Sequence, residues 1–102
     1  MPKPTIERRN ERLPLQANVS IKRFGFSRSS KALMFDLSVK GCCIVSSEPL
    51  PTGTQILIRI PGLEFWSATV MWHREQAVGV EFHKPLHPAV VERYARFYPA
   101  PD

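Results

Sequence analysis

The chain is 102 residues long, 43% hydrophobic and 23% charged, the composition of one globular domain with a single modest core rather than a low-complexity or fibrous chain. No apolar run approaches the ~20 residues of a membrane-crossing helix. Met1-Pro2-Lys3-Pro4-Thr5 also lacks the apolar stretch of a secretory signal, so the expected location is cytoplasmic. The net charge of +5 is uneven: residues 1–40 hold nine Lys or Arg against three acidic groups, and the remaining 62 hold five against six. A basic region confined to one end points to an anionic partner docking there.

In chain order, residues 1–12 have two prolines, three arginines and almost no apolar side chains, and are expected to form a flexible basic arm. From Gln16 the pattern becomes periodic, with Ala17, Val19 and Ile21 alternating with polar residues as in a half-buried strand. A loop follows over residues 25–30. Ala32 to Leu37 forms a second apolar run, ending in an Asp-Ser-Gly turn, and Cys42 to Val45 a third strand. Pro49, Pro51 and Gly53 punctuate the next turn. Ile56, Ile58 and Ile60 predict a fourth strand that stops at Pro61-Gly62.

Trp66, Ala68, Val70 and Trp72 share one face of a fifth strand, which makes Trp72 a core residue, or alternatively a stacking platform at a barrel rim. Val78, Val80 and Phe82 give a sixth strand, in which Gly79 marks a bulge or a close backbone approach. After Pro85 the spacing of Val90, Val91, Tyr94, Phe97 and Tyr98 is helical, and Pro88 suits the first turn. Six short strands and one helix predict a mostly β domain, a barrel or sandwich, over residues 13–98, with 99–102 a tail. Cys42 and Cys43 are adjacent; a bridge between neighbours is strained, and both are expected as reduced thiols.

Two short motifs carry the chemistry. Arg8 and Arg12 form an RxxxR pair, and Asp36, Ser38 and Gly41 a DxSxxG turn. A guanidinium fork meets guanine O6 and N7 bidentately, stacks on the base and binds phosphate with charge assistance. Asp36 can accept from the guanine N1–H and 2-amino group, which arginine cannot satisfy, and Ser38 can donate to phosphate. Gly41 admits a close backbone approach. Arg9 cannot begin the motif, because Leu13 stands four residues later, but it adds charge. Taken singly, such residues also occur as a basic tail and a self-capping turn.

Together the two motifs resemble those of the PilZ domain. Leu13-Pro14 ahead of the first strand, the Gly53 turn, Val70-Met71-Trp72 and Gly79-Val80-Glu81-Phe82 extend the resemblance over residues 7–84. It implies a six-stranded antiparallel split β-barrel with a C-terminal helix, binding cyclic di-GMP through Arg8, Arg12, Asp36, Ser38 and Gly41. The function expected is a non-catalytic receptor or adaptor whose arm orders on the nucleotide and which then signals to an effector protein. Two rivals stand beside it. One is a small basic barrel binding single-stranded nucleic acid through Phe24 and Phe26 beside Arg23 and Arg28. The other is a PilZ-like protein-interaction module without ligand. His83 and His87 are four apart, but Pro85 and the strand-to-helix change argue against a metal pair. Ser38 has no spacing cue to a histidine base, so no catalytic residue and no cofactor are expected.

Overall fold

A computed structural model describes residues 11–101. Six strands, β1 (Leu13–Arg23), β2 (Ser29–Leu37), β3 (Gly41–Ser46), β4 (Gln55–Arg59), β5 (Phe65–Arg74) and β6 (Ala77–Phe82), precede one helix, α1 (Pro88–Phe97). The strands close into an antiparallel barrel in the order β1-β2-β3-β6-β5-β4, with β4 returning to β1. Closure pairs every strand on both sides and leaves no free edge.

The alternation read from the sequence gives the barrel its core. Leu15, Ala17, Val19 and Ile21 of β1 point inward, as do Ile56 and Ile58 of β4, Ala68 and Val70 of β5, and Val78, Val80 and Phe82 of β6. Each large aliphatic side chain taken out of water this way contributes about 1.5–3 kcal/mol. Helix α1 covers the barrel: Val91 and Leu86 join the core, and Gln16 N–H donates to the Tyr98 carbonyl at 2.9 Å. His87 caps the helix, its Nδ1 accepting from Ala89 N–H at 3.0 Å, and Pro88 takes the first-turn position. The Tyr94 hydroxyl donates to the Pro61 carbonyl and holds the helix against the β4–β5 turn. Phe97 departs from the expected apolar helix face: it is 64% exposed, with the Arg93 guanidinium over its ring.

The regular pairing is interrupted in three places. Register shifts fall between Pro14 and Ala17 in β1, between Met34 and Asp36 in β2, and between Val70 and Trp72 in β5. Beta-bulges of this kind re-aim the side chain that follows. In β1 the inward phase runs through the shift unchanged, with Leu15 buried in step with Ala17, Val19 and Ile21.

Candidate functional site

The bulges decide where the site residues face. By strict alternation Asp36 would follow Ala32 and Met34 into the core, and Trp72 would follow Val70. The bulges turn both outward, and Trp72 is 42% exposed. The core position expected for Trp72 is therefore corrected. Its indole lies over Gly79, where an added Cβ would meet the ring at Nε1 and Cε2.

The pairing register then lines up a row across five strands. Pro14 on β1 pairs with Asp36 on β2, Asp36 with Cys43 on β3, Cys43 with Gly79 on β6, and Gly79 with Trp72 on β5. From Asp36 to Trp72 the row crosses three strand spacings, about 14 Å along the sheet. Cys42, its neighbour in β3, belongs to the core, whereas Cys43 lies on the row. Cys43 and Gly79 are members that the sequence reading did not assign to the site. Only the Gly79 signal, a close backbone approach, was there to be found.

Arg12 arrives at this row from the residue before β1. Its Nη1 donates to Asp36 Oδ1 at 3.0 Å and lies 4.0 Å from Cys43 Sγ. The same Oδ1 accepts from Cys43 N–H at 3.0 Å. The second arginine of RxxxR and the aspartate of DxSxxG thus meet in space although 24 residues separate them. Arg8 and Arg9 lie outside the described residues.

Ser38 and Gly41 shape the turn between β2 and β3. Ser38 N–H donates to the Gly41 carbonyl at 2.8 Å, and its Oγ accepts from Gly41 N–H at 3.2 Å and Lys40 N–H at 3.3 Å. The hydroxyl is buried and bonded within the turn, where it holds the backbone. Gly41 has no room for a side chain, since a Cβ would run into the Val80 carbonyl of β6.

The electrostatics follow from this packing. Burial pushes the Cys42 and Cys43 thiols up from their usual value, the Asp36 charge pushes the same way, and Arg12 opposes. Both cysteines are free thiols. The histidines are not brought together: His83 Nε2 shares a hydrogen with Thr69 Oγ1 at 2.7 Å, and His87 caps the helix. Among the described residues no cluster of metal-ligating side chains forms.

Comparison with known families matches the PilZ domain over residues 6–98. The chain belongs to the PilZ domain family. That family comprises receptor domains for cyclic di-GMP, and the match covers the arginine pair, the aspartate turn, the barrel and the helix. Among solved structures, the PilZ domain of CeSA from a cellulose-synthesizing bacterium resembles this PilZ chain with a TM-score of 0.60 at 18% identity. The alignment covers 84% of this chain and 91% of that one, and it supports the fold. A comparison with curated proteins finds no match. Among the described residues of this PilZ domain, no helix is long and apolar enough to cross a membrane.

Proposed function

We propose that this PilZ domain is a non-catalytic receptor for cyclic di-GMP that binds the nucleotide along the Arg12–Asp36–Trp72 row. The observation that carries the reading is the 3.0 Å contact between Arg12 and Asp36, which joins the two sequence motifs at one end of the row. Asp36 accepts from the guanine N1–H and 2-amino group through Oδ2, while Oδ1 stays fixed by the Cys43 N–H. Arg12, swung from Asp36 toward the base, meets O6 and N7 or stacks on the purine plane. Trp72, flat over Gly79, offers an aromatic face to a base at the far end of the row. Arg8 brings a second guanidinium from the arm, with Arg9 adding charge, and closing the arm over the nucleotide presents a new surface to an effector protein. Ser38 and Gly41 keep the Asp36–Cys43 junction in shape.

The test is calorimetric titration with cyclic di-GMP and with cyclic di-AMP. Arg12→Ala and Arg8→Ala each remove charge-assisted hydrogen bonds of about 1.5–3 kcal/mol, so affinity for cyclic di-GMP falls about ten- to a hundredfold. Asp36→Ala narrows the preference for the guanine nucleotide, because adenine lacks the N1–H and 2-amino donors. Equal losses for both nucleotides would reduce Asp36 to a structural turn, and unchanged binding by Arg12→Ala would remove the row from the site. Arm closure has its own readout: backbone order parameters for residues 6–10 rise on binding while those of β4 stay constant.

A further inference from the structure

The opposite end of β1 carries a different chemistry. The β1–β2 hairpin places Phe24 and Phe26 on either side of Gly25, whose φ of +84° makes the bend. Residues 24–29 are all exposed, Phe24 to 48% and Phe26 to 58%. Between Arg12 and Asp36 the chain has four basic residues, Lys22, Arg23, Arg28 and Lys31, and no acidic one. Arg59 joins them through the β1–β4 pairing, opposite Ser20. Three of these cations lie over aromatic rings: Arg23 5.7 Å from the Phe26 centroid, and Lys22 and Arg59 5.3 and 5.8 Å from that of Phe65. Among the described residues the one ion pair is Arg12–Asp36, at the other end of the strand.

From this we infer that the β1–β2 hairpin end of the barrel is a peripheral docking surface for an anionic lipid bilayer. Two exposed phenylalanines at a projecting bend supply apolar contact at the headgroup boundary. The cations behind them supply attraction to anionic lipid. Packing a cation on a ring keeps the charge at the surface, here with no carboxylate within ion-pair distance among the described residues, although Glu64 stands beside Phe65. The other anionic partners fit less well. A nucleic acid strand needs several open ring faces for its bases; Phe65 and Phe26 already carry cations, which leaves Phe24 alone of the three rings without one. A peptide added as a further strand needs a free edge, and the closed barrel has none. This contact is independent of the nucleotide row, which starts from the other end of β1.

The experiment is co-sedimentation of the full chain with vesicles of equimolar phosphatidylglycerol and phosphatidylcholine, and with phosphatidylcholine alone, each with and without cyclic di-GMP. Binding is expected to the anionic vesicles and not to the neutral ones, and to weaken as salt rises from about 0.1 to about 0.5 M. Arg23→Gln with Arg28→Gln weakens it about fivefold for each charge removed. Phe24→Ser with Phe26→Ser weakens it about tenfold for each ring. Circular dichroism and nucleotide titration of the same variants check that the barrel is intact. Equal binding to neutral vesicles, no binding to anionic ones, or retention of an oligothymidylate by a protein that ignores both would overturn the proposal.

Discussion

The two ends of β1 both carry arginine, to opposite effect. At the Leu13 end an arginine, an aspartate and a backbone N–H are bonded to one another at 3.0 Å, beside a buried serine bonded only within its own turn. At the Arg23 end the cations rest on phenylalanine rings, with no carboxylate within ion-pair distance among the described residues. A bonded, bulge-defined arrangement holds a few atoms in fixed positions and suits one small molecule of defined edges. An exposed, unneutralised arrangement has no such geometry and suits an extended charged surface. Charge count and hydrogen bonding both separate the two ends.

The largest expected break in this comparison is at Gly41. An added Cβ would overlap the Val80 carbonyl, which is backbone and cannot rotate away. Gly41→Ala therefore separates β3 from β6 and costs about 3 kcal/mol in urea unfolding, the upper range for overpacking. Nucleotide binding fails with it. An alanine at Gly25, with open space around it, meets no such obstacle. Its φ of +84° still imposes strain of about 1 kcal/mol.

The next effect is a pH dependence led by the core beneath the row. Burial, reinforced by Asp36, raises the Cys42 thiol above its usual 9.0. Folding then favours the protonated form. The stabilisation is complete below the unfolded thiol's range and is lost as pH rises above it, because the unfolded chain releases the proton first. Stability should fall by about 1.4 kcal/mol per pH unit per thiol once pH passes about 9. Cys42→Ala lowers stability at neutral pH through its cavity but flattens the alkaline slope. Unfolding curves of the two proteins measured at about pH 8 and about pH 10 give the comparison. A mutant slope as steep as the wild-type one would mean that Cys42 does not titrate in this way.

How much of this was legible in the sequence depends on where the period of two holds. Ile56 and Ile58, or Val19 and Ile21, alternate without interruption, and each faces the core as the alternation requires. The helix was equally open to reading, since Pro88 and the Val91–Tyr94 spacing persist in α1. Trp72 was misplaced because a bulge adds one residue to β5 without any composition cue at Met71. Asp36 escaped the same error only because its motif, not its parity, drew attention. The Ser38 residue type alone does not reveal the turn that bonds its hydroxyl to Gly41 and Lys40, which is a fact of the folded chain. The candidate site thus draws Asp36 and Trp72 from two places where local alternation breaks down, brought into line by pairing.

The smallest expected effect on stability is the sharpest test of the row. Gly79→Ala places a Cβ against the Trp72 indole, but that ring is a half-exposed side chain and can swing outward. The stability cost is about 1 kcal/mol, well below that at Gly41, because a side chain yields where backbone does not. The consequence falls on the platform instead. With Trp66→Phe as background, so that Trp72 is the one emitter, fluorescence should shift to the red as the indole gains solvent. Affinity for cyclic di-GMP should drop about tenfold if about 1.4 kcal/mol of stacking is lost. Vesicle binding at the hairpin should stay at the wild-type level, since no residue of that surface has changed. Should the indole move while nucleotide affinity holds, the row would end at Cys43 and Trp72 would serve only to cover Gly79.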